Sequence, residues 1–538
     1  MKNVANKAHS FSQVPEARIP RSQFNKSSRT MTTFDSAYIV PIYLEEVVPG
    51  DTFNVQTSSV VRMATPLYPV MDNIYLDTHF FYVPMRLVWD NFHKFHGAQD
   101  NPGDSTSYTI PKLDTSGTPT FSVGSIFDYM GLPTGVATHA DTRISSLPLR
   151  CYNKIYNEWY RDQNLINSLT ENSGDSADAT TDYSLQKRGK RSDYFTSCLP
   201  SPQKSDSGAV SLPLGTEAPV LGIGKDTTTW DTGSFTVHET GGIDTTYTDG
   251  QLIDAAGNGR FYAEQSTTNT GYPYIRADLS SATAATVDAV IEAFAIQEVY
   301  RRDARGGTRI NEIILSHFGV VSPDYRLQRP ELLSSNSQMI NMHTVPQTSA
   351  TSGTDYQGSL AAYATSSDSG HSFNKSFTEW GYILGLVSVR ADLTYQQGLP
   401  KLWTRAERLD FYLPGLANLG EQSVLNEEIY FQGTASTGAD QNVFGYQERW
   451  SEMRTGSVNN KITGQFRSTA ASSLDAWHLA QEFSALPTLN QTFIEEAAPI
   501  SRVVADATAP EFIGDFYFNV KAARPMPTYS IPGMKAVL

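Results

Sequence analysis

The stretch DNIYLDTHFFYVPMRLVWDNF, residues 72–92, decides the fold class of this chain. In an extended strand, successive side chains point to opposite faces. This stretch would carry apolar groups on both faces, with one set formed by Ile74, Leu76, Phe80 and Tyr82 and the other by Tyr75, Phe81 and Val83. A doubly apolar strand is expected where a sheet is covered on both sides.

The residues after this strand predict an abrupt exit from the sheet. Pro84 fits the first turn of a helix, where its missing N–H costs nothing. Leu87, Val88 and Phe92 would give that helix an apolar side. We interpret the stretch as the point where the chain leaves a sheet whose second face is covered by an insertion or a neighbour.

Further strands are predicted near both ends of the chain. Residues 38–63 read as two strands joined by the turn Pro-Gly-Asp at 49–51. Residues 381–398 alternate like a half-buried antiparallel strand, and the C-terminal run EFIGDFYFNV predicts one more. The apolar side chains of these last two strands are Ile383, Val387, Val389, Ala391 and Leu393, and Phe512, Phe516 and Phe518.

Helices are predicted between these strands. Ser125 and Gly131 bound a short helix, and residues 147–165 carry one apolar stripe, Leu149, Tyr152, Ile155, Tyr156 and Trp159. A longer helix precedes Gly306 and Gly307. Another follows, with Thr308 as its cap, Gly319 as its end and an inward face formed by Ile310, Ile313, Ile314 and His317.

Composition and charge limit the class of protein. The 538 residues include 27 Tyr and 26 Phe but only two cysteines, Cys151 and Cys198, which cannot form a disulfide framework. We find no signal-peptide pattern and no run of 18 apolar residues, so we expect neither secretion nor a transmembrane segment. Residues 1–30 carry a charge of +5 within a chain of net charge −15. This basic arm either contacts a polyanion or is a solvated tail.

A polar region at 205–280 interrupts the ordered pattern. It contains ten acidic residues against three basic ones, and its scattered apolar pairs are spaced by glycines. Structureless insertions of this length are rare in compact domains unless they have a function. We therefore predict a small, acidic, surface-exposed subdomain made of short hairpins.

A search for catalytic or metal-binding motifs is negative. VLGIGKDT lacks the glycine and the Ser or Thr of a phosphate loop, and His93 and His96 have no third ligand beside them. Glu495 and Glu496 fit a solvated turn better than a catalytic pair. We predict no catalytic residues, no metal and no cofactor.

A cluster of arginines has two interpretations. Arg301, Arg302, Arg305 and Arg309 are denser than a normal helix surface requires. Arginines make bidentate contacts with carboxylates and phosphates, so the cluster suits an acidic neighbouring subunit or a nucleic-acid backbone. Salt bridges within the subunit are the alternative.

Several long motifs in one order resemble the major capsid proteins of the Microviridae, small icosahedral single-stranded DNA bacteriophages, and in particular the gokushovirus branch. The resemblance covers nearly the whole chain outside 205–280. It rests on LPLRCYNKIYNEWYRDQNL (147–165), DYFTSCLPSPQK (193–204), RRDARGGTRINEIILSHFGVVSPDYRLQRPELL (301–333), FTEWGYILGLVSVRADLTYQQGLPKLW (377–403), SSLDAWHLAQEF (472–483) and RPMPTYSIPGM (524–534).

The resemblance implies a mainly β fold: an eight-stranded antiparallel jelly roll with long helix- and loop-containing insertions. It implies four regions: a basic arm at 1–30, a first part of the jelly roll at 31–204, an acidic insertion at 205–280, and at 281–538 the remaining jelly roll with a Pro-rich tail. It also implies sixty copies in a T=1 shell, with the insertion forming a protrusion at each three-fold axis.

Further partners follow from the resemblance. They are a circular single-stranded DNA genome, a small basic DNA-binding protein, a DNA-pilot protein and an internal scaffolding protein, with assembly in the cytoplasm of the bacterial host and a final place in the virion. Because an acidic shell repels DNA, we expect local basic groups to face the genome. The candidates are Lys2, Lys7, Arg18, Arg21, Lys26, Arg29, Lys521, Arg524 and Lys535.

The acidic insertion is the candidate for contact with a host surface receptor. Its large apolar side chains include Trp230, Phe235, Tyr247, Phe261 and Tyr262. The competing class is a secreted or surface glycan-binding protein or glycan-active enzyme, which would also be large, acidic and rich in aromatic residues. Such a protein would normally carry a secretion signal and a carboxylate pair, and neither is found.

Overall fold

A curled antiparallel sheet forms the centre of the chain in a computed structural model, which describes residues 20–204, 287–349, 357–433, 438–456 and 460–529 and the backbone of short strands between 220 and 277. The strands of this sheet are β1 (Ser22–Asn25), β2 (Ser28–Phe34), β3 (Val40–Val47), β4 (Thr52–Met63), β5 (Ile74–Pro84), β6 (Glu331–Pro346), β7 (Leu360–Ser376), β8 (Gly381–Ala391) and β9 (Phe512–Arg524).

The strand order brings the two ends of the chain together. The order is β1-β9-β4-β7-β6-β5-β8-β3, and β2 follows β1 along the same side of β9, so the sheet has eight strand positions. The sheet curls until its edges approach, and the Thr30 hydroxyl on β2 donates to the Ile42 carbonyl on β3 at 3.0 Å. This arrangement confirms the predicted jelly roll with both chain ends in the barrel.

The concave side of the sheet encloses the main core. Aromatic rings from distant strands meet there, with Tyr43 on β3 lying 4.8 Å from Phe518 on β9 between ring centroids. Phe80 on β5 lies 5.4 Å from Phe373 on β7. Residues from both ends of the chain therefore stabilise one core, whose buried members include Val55, Val61, Ile74, Leu76, Phe80, Tyr82, Ile383, Val387, Phe512 and Phe516.

The second face of β5 confirms the prediction made from residues 72–92. Phe81 and Val83 are buried in a separate cluster under the insertion that follows β5. Tyr75 is half-buried beneath the Arg191 guanidinium, 4.0 Å from its ring centroid. The subunit itself therefore covers the apolar part of this face.

Two details of this region differ from the prediction. Pro84 is the last residue of β5 in extended conformation, and only a single 3-10 turn, Met85–Leu87, follows it directly. Strand β8 is not half-buried as predicted, because Leu384 and Leu386 pack into the second cluster while its other face fills the main core. Both differences arise from the insertion that covers the outer side of the sheet.

The predicted helix at 147–165 is confirmed as α1 (Leu147–Ile155), which continues as a π-helical turn, Tyr156–Tyr160. Its apolar stripe packs into the second cluster. The Ser125-capped helix is also confirmed, at Ile126–Tyr129, with Gly131 at a φ of 89° behind it.

Two longer helices follow the acidic region as predicted, α2 (Val287–Gly306) and α3 (Ile310–Phe318). The inward face predicted for α3 is wrong, because none of its residues is buried and Ile310 is exposed. Arg309, not Thr308, occupies the N-cap position, while Gly319 ends the helix with a φ of 67° as predicted.

The C-terminal half contains a third apolar cluster under a two-stranded sheet. Its strands, Glu421–Leu425 and Val443–Glu448, pair antiparallel and pack against Tyr194 and Phe195. The remaining described helices are short: Phe92–Phe95, Thr180–Asp182, Lys401–Trp403, Arg408–Asp410, Pro414–Leu416, Asn426–Ile429, Ala439–Gln441, Ser451–Arg454, Gly464–Phe466, Asp475–Trp477, Gln491–Ile494 and Ile500–Val503.

Residues Gln203–Asp303 form a compact unit of their own, whose boundary falls within α2. Its short strands pair antiparallel, and Phe235–His238 with Asp244–Tyr247 is a hairpin of the kind expected for this region. The other strands are Val220–Leu221, Ile223–Gly224, Leu252–Ile253, Arg260–Ala263 and Arg276–Ala277.

Candidate assembly and nucleic-acid surfaces

One irregular segment, residues 402–419, exposes an unusual density of large apolar side chains; we call it the apolar loop surface. Trp403 is 71% exposed and lies at the end of a 3-10 turn. The other exposed members are Leu402, Leu409, Phe411, Tyr412, Leu413 and Leu419. Contiguous exposed apolar patches on a soluble protein mark sites of interaction with another surface.

The apolar loop surface is held in a defined conformation. The Asp410 carboxylate accepts hydrogen bonds from the backbone amides of Ala406 and Glu407, at 2.9 and 2.7 Å. The Trp450 indole donates to the Leu416 carbonyl at 3.3 Å, and its ring packs edge-on against Tyr412. The exposed rings are thus presented by an ordered segment, which lowers the entropy lost when a partner binds.

A second exposed apolar segment follows α3. Phe318 at the end of this helix and Val321 beyond it are 76% and 80% exposed. Leu315, Val320 and Tyr325 are also exposed. We call residues 315–325 the α3 surface.

The N-terminal part of α2, which lies in the unit Gln203–Asp303, also exposes large apolar side chains. Val287, Ile291, Phe294 and Val299 keep the predicted helical spacing, but all four are exposed. A helix that carries an exposed apolar stripe requires a partner to bury it.

The arginine cluster is distributed over separate contacts. Arg302 pairs with Glu298 one turn earlier on α2, at 2.9 Å. Arg305 pairs with Glu421 at 2.5 Å and Glu448 at 3.1 Å. These ion pairs are the ones expected from the alternative interpretation of the cluster, in which its arginines form salt bridges within the subunit.

Arg309 is also committed to contacts inside its unit. It pairs with Glu312 at 3.2 Å and donates to the carbonyls of Asn157 and Arg161. Arg301 lies on α2 within the other unit. A role for the cluster toward a neighbouring subunit or a phosphate stays a prediction.

The basic candidates near β1, β2 and β9 are partly neutralised. Lys26 pairs with Glu45, and Arg29 pairs with Asp515 across the β2–β9 ladder at 2.7 Å. Arg524 lies 3.4 Å from Glu45 and 3.1 Å from Asp51. Their charges therefore hold the sheet edges together.

Arg21 and Lys521, in contrast, are exposed. Lys2, Lys7, Arg18 and Lys535 lie outside the described residues. Contact of any of these side chains with DNA stays a prediction.

The host-contact candidates are placed only by their backbones. Phe235 is opposite Tyr247 in the hairpin, and Phe261 and Tyr262 lie on the strand Arg260–Ala263. Trp230 lies outside the described residues.

Neither metal ligands nor membrane-spanning helices are found where the structure is described. No three His, Cys, Asp or Glu side chains group there as they would around an ion, and no helix there has the length and apolarity needed to cross a membrane. The His96 ring stacks on Trp380 with 4.4 Å between centroids. Cys151 and Cys198 are free and buried.

Jelly rolls are used by viral shell subunits and by other classes of protein, and the exposed apolar segments of this one suit a subunit that assembles with others. The family model for the phage capsid protein, described as "Capsid protein (F protein)", matches residues 12–534. The chain belongs to this capsid protein family and has a structural role as a major capsid protein and virion component.

Curated relatives agree over their full length. The chain is 46% identical to "Capsid protein VP1" of Bdellovibrio phage phiMH2K, with 97% of each chain covered. It is 40% identical to the protein of that name from Chlamydia phage 1, with 98% of each chain covered. It is 34% identical to that of Spiroplasma virus 4, covering 100% of this chain and 99% of the relative. The microvirus resemblance is confirmed, and the glycan-binding alternative has no support.

The sequence analysis missed the apolar loop surface. Leu409, Tyr412, Leu413 and Leu416 have helical spacing, but Pro414 and Gly415 interrupt it, so the pattern predicts no regular element there. The usable signal was apolar density: residues 402–419 contain eight large apolar side chains, seven of which are exposed.

Proposed function

We propose that sixty copies of this chain form a T=1 icosahedral shell around a circular single-stranded DNA genome. The observation that carries the proposal is the apolar loop surface, an ordered segment whose large side chains remain exposed in the single subunit. Cyclic contacts around three-fold and five-fold axes join two different patches of the same chain. The α3 surface is a second, separate patch in the sequence that suits this requirement.

The basic arm supports the enclosure of DNA. Residues 1–30 carry six basic side chains against one acidic one, and we assign them, with Lys521 and Lys535, to the inner side of the shell. The remaining charge of −20 requires a separate cationic partner for the genome, which fits a small basic DNA-binding protein. A DNA-pilot protein and an internal scaffolding protein complete the proposed partners, with assembly in the bacterial cytoplasm.

The acidic insertion is assigned to the outer surface. Its length, its charge of −7 and its division from the rest of the chain suit a protrusion that contacts a host receptor. We propose that residues 205–280 form this protrusion at the three-fold axes.

The test is the size of the assembled particle. Expressed alone or with its scaffolding partner, the chain should form closed shells in negative-stain images. A shell of sixty 59.3 kDa subunits has a mass of about 3.6 MDa. A discrete monomer under all conditions, or a shell of clearly different mass, would contradict the proposal.

A further inference from the structure

A cavity on the outer face of the sheet is built from basic and aromatic side chains. Its volume is about 320 Å³, and it lies where β5, β6 and β8 meet the segment 188–190. Three cationic side chains and four rings line it: Arg188, Lys190 and Arg390, and His79, Phe81, Trp159 and Tyr160. No carboxylate lines this cavity among the described residues.

The two arginines are fixed in place by a buried carboxylate. Asp77 accepts from Arg188 at 2.6 Å and from Arg390 at 2.7 Å, and Ser388 accepts from Arg188 at 2.8 Å. One carboxylate thus holds two guanidinium groups, which leaves one positive charge uncompensated by this contact. Side chains held in this way lose little entropy when a ligand binds.

Arg188 lines the cavity, and one edge of its guanidinium makes no hydrogen bond to a described residue. All its hydrogen bonds to described residues involve Nη1. The Nε and Nη2 atoms have no partner within the described part of the chain, and they are not buried. This edge of a guanidinium is the one that binds two oxygens of a phosphate or a carboxylate at once.

The other walls suit a ligand that also carries an aromatic ring. Tyr160 lies under the Arg188 guanidinium, 5.5 Å from ring centroid to Cζ, and its hydroxyl is 3.1 Å from His79 Nδ1. Burial, reinforced by Arg188, lowers the pKa of His79 to about 3, so this imidazole is neutral. Neutral rings beside a basic edge are what proteins use to stack a base while they hold its phosphate.

We propose that this cavity binds a nucleotide unit of single-stranded DNA, with its phosphate on the free edge of Arg188 and its base against the aromatic wall. The inference rests on the proposed function, in which the shell encloses such a strand. It assigns DNA contact to residues that were not among the candidates, at least three of which are used in ion pairs within the subunit.

The test uses Ser335, which lies at the mouth of the cavity. It is exposed, sits opposite His79 in the β5–β6 ladder and makes no side-chain hydrogen bond to a described residue. Ser335→Glu would place a carboxylate against the basic edge without removing a native contact. Ser335→Gln is its matched neutral control of the same size.

Binding of a labelled oligothymidylate to the full-length subunit is measured for both variants. Ser335→Glu should weaken binding about tenfold relative to Ser335→Gln, because it blocks the phosphate position with a like charge. Equal affinities for the two variants would overturn the proposal.

Competition identifies the source of the phosphate. An unlabelled strand should displace the label at far lower concentration than thymidine monophosphate or inorganic phosphate. Equal competition by the monophosphate would overturn the assignment to a strand.

The DNA content of purified particles separates this inference from the proposed function. Ser335→Glu shells that form normally but contain less DNA than Ser335→Gln shells support the cavity. Normal DNA content in both variants overturns the cavity and leaves the shell intact, whereas wild-type shells without DNA would contradict the proposed function itself.

Discussion

Asp77 shows how one buried carboxylate organises the outer face of the sheet. It is 3% exposed and holds Arg188 and Arg390. Burial alone would raise the pKa of Asp77, but Arg188, a hydrogen bond with Ser337 and Arg390 together outweigh it and hold that pKa below its ordinary value. The carboxylate therefore contributes stability above its unfolded pKa, and this contribution is lost as the pH falls through the lower folded pKa.

Replacing this carboxylate should be costly. Asp77→Asn leaves two partly buried guanidinium groups without their carboxylate, so we expect a loss of up to about 3 kcal/mol in the free energy of unfolding. The control is Asp392→Asn, which weakens a partly exposed pair with Arg191 at 3.4 Å and should cost less than about 1 kcal/mol. Denaturant unfolding at pH 7 measures both, and equal losses would contradict the role of Asp77.

Glu496 has the opposite pH dependence. Its side chain is fully buried, and burial raises its pKa to about 7, against a partial opposing effect of Lys190. Neither carboxylate oxygen reaches a well-directed hydrogen bond among the described residues. Because the folded state binds this proton more tightly than the unfolded chain, the stability from this group is present at low pH and is lost as the pH rises toward and beyond 7.

A neutral amide should remove this effect. Glu496→Gln should stabilise the subunit at pH 8 by at most about 3 kcal/mol and change little at pH 5. Thermal unfolding at the two pH values is the measurement. Glu495→Gln, at the adjacent partly exposed carboxylate, is the control and should show no such gain at pH 8.

Phe81 tests which part of the particle covers the second face of β5. The sequence left open whether an insertion or a neighbour covers the second face of β5, and Phe81 is buried within the subunit's own second cluster. Phe81→Asp should therefore prevent the subunit from folding, which is visible as loss of soluble protein. Soluble, folded Phe81→Asp subunits that fail only to assemble would instead place this ring at a subunit contact.

At the scale of elements, the apolar loop surface carries the clearest prediction. Trp403→Asp should leave the subunit folded, because this side chain is 71% exposed, but should reduce particle yield at least tenfold, since a central aromatic side chain dominates many interfaces. Circular dichroism checks the fold, and sedimentation measures the particles. Trp403→Phe keeps an apolar ring and should assemble, so equal yields from the two variants would exclude this surface from the contacts.

Which elements could be predicted depended on their burial. Strand β9 alternates between buried and exposed side chains, and β5 is buried on both faces, so the residues of each strand carry a recognisable apolar pattern. Strands β6 and β7 are the longest in the sheet, at 16 and 17 residues, and neither was predicted. Both are rich in serine and are exposed along much of their length, so no apolar period marks them. They are specified by pairing with β5 and β4, which only the folded sheet reveals.

The basic cavity could not be predicted from the sequence either. Arg188 and Arg390 lie about 200 positions apart, and each looks like an ordinary surface arginine in its own segment. Asp77, on the doubly apolar strand, is the residue that joins them. The position of Asp77 within a mostly apolar strand was the sign in the sequence that this face contacts charged side chains.

At the scale of the whole molecule, the structure defines which part of the arm can be removed. Strands β1 and β2 pair with β9, so deletion of residues 2–30 would damage the sheet as well as the arm. Deletion of residues 2–19 removes Lys2, Lys7 and Arg18 and spares both strands. We expect these shells to form with less DNA, measured by the absorbance ratio of purified particles, and unchanged DNA content would show that the arm does not contact the genome.

The acidic insertion can be tested in the same way. Replacing residues 205–280 by a short Gly-Ser linker should leave shell assembly intact and abolish adsorption to host cells. A linker replacing residues 100–107, an almost entirely exposed part of the first insertion, serves as a control for general effects of shortening the chain. Normal adsorption of shells that lack 205–280 would exclude the insertion as the host-contact element.

The pairing of β9 has a consequence for how each subunit is made. This strand lies in the interior of the sheet order, between β4 and the β1–β2 pair. Its Asp515 pairs with Arg29 on β2, which lies 486 positions earlier in the chain. The first 511 residues are therefore synthesised before this strand exists. Complete pairing of the sheet must wait for β9, at a rate set by contacts of very long range. We expect a product of translation that stops before residue 512 to lack an internal strand and to be unable to complete the sheet.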